Sequence, residues 1–81
     1  MTEEQSSHLS ASRVIRRLQK AGLRQFGRGD TEPGFVVKKI DEALIVRTMP
    51  EDLDLLDRCA RVLVHKGLTV RLEPTHLVVR R

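Results

Sequence analysis

The sequence predicts an α+β domain in the order α-β-β-α-β-β, a four-stranded antiparallel sheet with two helices on one face. Apolar residues recur at helical spacing in two segments, and two short β-rich runs follow each of them. The chain has 81 residues, 40% of them hydrophobic, which is enough for one core only. We expect a disordered tail at residues 1–8 and a single domain at residues 9–81.

The first predicted helix begins after Ser10, a good N-cap residue, and Leu9 can pack on Val14 as a hydrophobic staple. Leu18 continues the apolar stripe. Gly22 ends the helix, because glycine adopts the left-handed conformation of a helix C-terminus at little cost.

Residues 24–34 concentrate glycine, proline and polar side chains, which indicates an exposed loop. The β-rich runs at 35–40 and 43–48 flank Asp41 and Glu42, and this spacing predicts the first hairpin.

For the second helix, Thr48 is the expected N-cap, with Pro50 in the first turn. Gly67 ends this helix. The second hairpin turns at Pro74 and Thr75, which pairs Leu72 with Leu77 and Val70 with Val79 on the face toward the helices. The expected core collects the inward-facing positions: Val14, Ile15, Leu18, Val37, Leu44, Val46, Leu53, Leu56, Cys59, Ala60, Leu63, Val70, Leu72, Leu77 and Val79.

The two halves of the chain, 10–48 and 49–81, match each other at two constant offsets. The first offset matches Arg13 with Arg58, Arg16 with Arg61, Leu18 with Leu63, Gly22 with Gly67, and Leu23 with Leu68. The second offset matches Val37 with Val70, Leu44 with Leu77, Val46 with Val79, and Arg47 with Arg80. An insertion at the loop 24–34 accounts for the change of offset. The pattern predicts an internal duplication, and chance matching in a chain rich in Leu, Val and Arg is the alternative.

Four short motifs suggest a family: Gly22-Leu23 closing the first helix, Gly34-Phe35-x-Val37, Lys66-Gly67-Leu68-x-Val70, and Leu77-Val78-Val79-Arg80. They resemble small uncharacterised proteins of actinobacteria, their phages and mobile elements. The resemblance implies no known activity and no functional residues, since these motifs are structural.

A cationic stripe on and after the first helix is the strongest functional signal. Its members are Arg13, Arg16, Arg17, Lys20, Arg24 and Arg28, and the segment that holds them contains no acid. Such a stripe can neutralise phosphates, so a nucleic acid is the expected partner. The alternative is a solvated helix face that the acids at 51–57 partly balance.

Base recognition has less support. The chain contains no Asn, a common base-reading residue, and two Phe as its only aromatic residues. Binding dominated by the nucleic-acid backbone remains compatible with the sequence, and Phe35 could contribute at the edge of the sheet.

The sheet face away from the helices carries apolar residues among cations. It is expected to hold Val36, Lys38, Ile40, Ile45, Arg47, Arg71, Val78 and Arg80. This face supports a second hypothesis, a protein-interaction adaptor encoded by a phage or mobile element and directed at a host protein. It also predicts a homodimer, formed by stacking two such faces or by pairing sheet edges at the carboxy-terminal strand.

No metal site, cofactor or enzymatic activity is expected. Cys59, His65 and His76 lack the paired spacing of zinc ligands, and no serine follows a nucleophile-elbow pattern. With its single cysteine, an N-terminus unlike a secretory signal and no long apolar run, the chain is expected to be cytoplasmic and free of membrane spans.

Overall fold

The computed structural model describes residues 10–81, and it confirms the predicted order of two helices and four strands. The elements are α1 Ala11–Lys20, β1 Gly34–Ile40, β2 Ala43–Met49, α2 Leu53–His65, β3 Thr69–Leu72 and β4 His76–Arg80. The predicted tail and the packing of Leu9 lie outside the described residues.

The strands form one antiparallel sheet in the order β1-β2-β4-β3. In the second hairpin Leu72 lies opposite Leu77 and Val70 opposite Val79, so the predicted register is confirmed. The expectation that β4 offers a free edge is wrong, because β4 lies between β2 and β3. The two edge strands are β1 and β3.

Both helices pack on the face of the sheet that carries Leu44, Val46, Leu77 and Val79. The fully buried side chains are Val14, Leu18, Phe35, Leu44, Val46, Leu56, Cys59, Leu63, Leu77 and Val79. The other expected core residues Ile15, Val37, Ala60 and Val70 are partly buried against them. Phe35, the largest buried side chain, lies outside the expected core.

Two expected core residues are exposed. Leu53 is 58% exposed at the first position of α2, and Leu72 is 62% exposed at the last position of β3. Each lies at the end of its element, and within the described residues β3 has a neighbouring strand on one side only. Helical and strand periodicity define a face, but they do not say how far along it the neighbours reach.

The starts of the two helices differ in how well the sequence predicts them. Ser10 caps α1 as expected, since the Arg13 amide donates to Ser10 Oγ at 3.5 Å. At α2 the predicted N-cap is wrong: Asp52 Oδ1 accepts the Leu55 amide at 3.1 Å. Thr48 lies inside β2 opposite Phe35, and its Oγ1 accepts the Asp52 amide at 2.8 Å. Thr48 thus fixes the residue that caps the helix.

The ends of the two helices are alike. Gly22 has φ of 90° and Gly67 has φ of 89°. After each glycine a leucine amide bonds back to the helix, from Leu23 to the Leu18 carbonyl and from Leu68 to the Leu63 carbonyl, both at 3.1 Å. These are the equivalent positions of the two matching halves.

The ladder between β2 and β4 is symmetric about the pair Ile45 and Val78. On one side of this pair Leu44 lies opposite Val79, and on the other Val46 lies opposite Leu77. The sequence offset makes Leu44 equivalent to Leu77 and Val46 to Val79, so exchanging the two hairpins leaves the ladder unchanged. This local two-fold symmetry supports the duplication, which stays a prediction.

Residues 24–26 cover the outer edge of β1. The Phe35 amide donates to the Arg24 carbonyl at 2.8 Å, and the Phe26 amide donates to the Phe35 carbonyl at 2.9 Å. Gly34 makes this approach feasible, because a Cβ there would lie 2.5 Å from the Phe26 amide nitrogen. The predicted loop is therefore bound to the sheet at its start.

Burial raises the pKa of the Cys59 thiol from 9.0 to about 11. The folded state therefore keeps a proton that the unfolded chain loses above pH 9. We expect the free energy of unfolding to fall between pH 9 and 11, by up to about 1.4 kcal/mol per pH unit from this group. Urea unfolding at pH 8, 9, 10 and 11 measures the slope. Cys59→Ala is the control, and an identical slope in that variant would contradict the expectation.

Candidate nucleic-acid interface

The exposed side of α1 is cationic because its sequence alternates with helical period. Val14 and Leu18 are buried, while Arg13, Arg16, Arg17 and Lys20 are exposed. At spacings of three and four these cations lie on one stripe of the helix. The hydrophobic residues that dock α1 on the sheet therefore determine the direction in which the charges point.

The stripe lines a surface groove of about 440 Å³ together with a fifth cation, Lys66. Lys66 is the C-cap of α2, and its amide donates to the Val62 carbonyl at 3.1 Å. Among residues 10–81, the five that line the groove are all Lys or Arg. We call Arg13, Arg16, Arg17, Lys20 and Lys66 the basic groove.

Arg24 and Arg28, which the sequence placed with the stripe, do not line the groove. The Arg24 guanidinium bonds to Asp30 Oδ1 at 2.9 Å, while Asp30 Oδ2 accepts the Gly27 amide at 2.6 Å. Arg24 thus closes the loop instead of extending the stripe. Arg28 is exposed in the turn between Gly27 and Asp30.

The acids of α2 do not balance the groove through ion pairs with it. In the part of the chain from 10 to 81 the ion pairs are Arg24 with Asp30, Arg61 with Asp57, and Arg71 with Glu73. Along α2, Asp57 pairs with Arg61 at 2.8 Å, and Asp54 and Arg58 do not pair with each other. Asp52 caps its own helix. The positive charge of the groove is therefore not offset by direct contact with these acids.

The opposite face of the sheet combines apolar residues with further cations. Val36, Ile45 and Val78 are partly buried there, and Ile40 is 46% exposed. One row across the sheet runs Lys38, Ile45, Val78 and Arg71. Arg47 and Arg80 share the face and are exposed. We call this surface the outer face; it has the composition expected from the alternation.

The aromatic residues are not displayed for base stacking. Phe35 is fully buried under the helices, which corrects the expectation that it could contribute at the edge of the sheet. Phe26 is partly buried. The outer face carries no Phe, Tyr or Trp side chain among residues 10–81.

Within residues 10–81 no three His, Cys, Asp or Glu side chains come together in an arrangement that could hold a metal ion. No helix in this range is long and apolar enough to cross a membrane.

Comparison of the chain with protein-family models, with curated proteins and with solved structures gave no match. The resemblance drawn from the four motifs stays a prediction, and the function rests on the geometry of the protein itself.

Proposed function

We propose that the protein binds the phosphate backbone of nucleic acid in the basic groove and acts as a non-enzymatic accessory protein. The observation that carries this proposal is the position of Lys66, a cation from the end of the second helix beside the four cations of α1. A solvated helix face needs no such contribution from a neighbouring element.

The chemistry of the groove fits phosphate. Arginine presents a planar fork that bonds two phosphate oxygens at once, and lysine adds a compact positive charge. Neutralising phosphates releases condensed counterions, which supplies affinity that depends on salt and is independent of sequence. The net charge of +4 acts in the same direction at long range.

The rest of the surface favours double-stranded backbone over bases. Single-strand binding sites stack bases on aromatic side chains, and the outer face has no Phe, Tyr or Trp among the described residues. Phosphate contacts position a protein on a duplex without reading its sequence. We therefore expect similar affinities for duplexes of unrelated sequence.

Fluorescence anisotropy with labelled duplex DNA, duplex RNA and single strands at several salt concentrations tests the proposal. The double variant Arg16→Glu/Arg17→Glu should weaken duplex binding about 100-fold or more in low salt, because two contacts become repulsive. Its log–log salt slope should fall by about 2, since each phosphate contact contributes about 0.9.

The matched control is Arg58→Glu/Arg61→Glu on α2, which changes the net charge by the same amount on an exposed helix face. Equal loss in both double variants would show that only net charge matters and would contradict a groove. Two single variants compare Lys66, the fifth cation of the groove, with Arg28 in the loop. Lys66→Ala should lower the salt slope of duplex binding by about 1, and Arg28→Ala should leave that slope unchanged.

The second candidate function is a protein-interaction adaptor, favoured by the apolar residues Val36, Ile45 and Val78 between cations on the outer face. A host protein carrying acidic and apolar groups is the expected partner. Capture that survives nuclease and high salt, and that Ile45→Glu abolishes while Arg16→Glu/Arg17→Glu does not, would favour this function over nucleic-acid binding.

A further inference from the structure

The two edges of the sheet differ in whether other residues of the chain cover them. At β1, residues 24–26 bond to Phe35 and occupy the outer side of the strand. At β3, no residue of the described range 10–81 pairs with the outer side. The cover comes from the segment 24–34, which the predicted duplication treats as an insertion in the first half, and residues 49–81 contain no matching segment. An uncovered edge offers backbone groups to another strand.

The hairpin determines which groups of β3 point outward. The Glu73 amide donates to the His76 carbonyl at 2.9 Å, which makes this the first hydrogen-bonded pair after the turn. Bonded and non-bonded pairs alternate along an antiparallel ladder, so Arg71 and Thr69 direct their N–H and C=O groups to β4. Val70 and Leu72 direct theirs to the free edge.

The N–H and C=O groups of Val70 and Leu72 are four outward groups that can bond to the same four groups of a second copy. We propose that two copies of the chain pair antiparallel through β3, with Val70 of each copy opposite Leu72 of the other. This register forms two hydrogen-bonded pairs and uses all four groups. It also packs Val70 against Leu72 of the second copy on the helical side, where Leu72 is now 62% exposed.

Charge favours the edge over the outer face as the contact between copies. Stacking two outer faces brings together Lys38, Arg47 and Arg80 of both chains, and Glu73 is the one acid of that face among residues 10–81. At the edge, the Arg71 residues of the two copies lie at the centre, and the guanidinium of each pairs with Glu73 of its own chain. The second copy therefore meets less uncompensated charge at β3.

The two-fold axis of this arrangement is perpendicular to the sheet, since inward residues of one copy lie beside inward residues of the other. Both helical layers then lie on the same side of a continuous eight-stranded sheet, and both basic grooves face that side. The dimer does not depend on the proposed nucleic-acid binding, and its test below uses protein alone.

Sedimentation at 10–200 µM measures the mass against the 9.2 kDa of one chain. The wild type should show twice that mass at the upper end of the range. Leu72→Pro should be a monomer at every concentration, because proline removes an outward N–H that β4 does not use and is tolerated in an edge strand. Leu72→Thr keeps the N–H and should retain a weaker dimer. Circular dichroism establishes that each variant is folded.

A covalent version tests the register. Arg71 lies on the two-fold axis as a non-hydrogen-bonded pair with itself, where Cα atoms are about 4.5 Å apart. Oxidised Arg71→Cys should run as a covalent dimer, and Thr69→Cys, whose opposite residue is Glu73, should not. A monomeric wild type at 200 µM, a Leu72→Pro dimer, or a dimer that only Ile45→Glu dissociates would each overturn the proposal.

Discussion

Replacing Phe35 with alanine is expected to unfold much of the protein at room temperature. Phe35 is 0% exposed and is the largest side chain in the core, which otherwise consists of Leu, Val and Cys side chains. Removing a buried phenyl ring costs about 3–5 kcal/mol, while a small domain has about 5–15 kcal/mol of total stability, and one of this size lies near the lower end.

Urea unfolding followed by circular dichroism measures the loss. Phe26→Ala is the matched control, since it removes the same ring from a partly buried position in the segment that covers β1. We expect a clearly smaller shift of the unfolding midpoint for Phe26→Ala. Equal midpoints for the two variants would mean that Phe35 is not the principal aromatic anchor of the core.

The second large effect is expected for Gly34→Ala. The added Cβ would lie 2.5 Å from the Phe26 nitrogen and 2.7 Å from its Cα, and both are backbone atoms that cannot rotate away. Residues 24–26 must therefore move, which weakens the hydrogen bonds to Phe35. Overpacking of this kind costs about 1–3 kcal/mol.

Hydrogen exchange provides a specific readout for this variant, because the Phe26 and Phe35 amides should lose protection before the amides of β4. Gly22→Ala is the comparison: its Cβ meets open space, and its cost arises only from a φ of 90°. Loss of stability without a local increase in exchange at Phe26 would contradict this account.

The sequence was sufficient for the fold because its two periodicities agree with the turn signals. The alternation in 69–80 predicted the register of the second hairpin, and Gly22 and Gly67 marked both helix ends. The strand order could not be read in the same way, since either strand of a hairpin can lie at the edge. Phe35 points to the same face of β1 as Val37, but the expected core of this strand began at Val37, one two-residue repeat too late.

The candidate site was predicted in part. The helical spacing of Arg13, Arg16, Arg17 and Lys20 indicated the stripe, and the structure keeps these four together. Lys66 joins them only because α1 and α2 pack side by side, a long-range contact that no local pattern encodes. The ion pair of Arg24 with Asp30 could not be predicted, because it spans a loop in which no periodicity relates the two residues.

The symmetric ladder at Ile45 and Val78 has a consequence for how the two hairpins find each other. Both strands carry the core pattern Leu-x-Val, and antiparallel pairing sets each Leu opposite a Val. Two copies of either strand could therefore pair with each other through the same core contacts. These core contacts therefore do not distinguish pairing of β2 with β4 from pairing of either strand with its own copy. Correct pairing within one chain depends on the connection at residues 50–68, which contains α2 and holds the two hairpins at high local concentration.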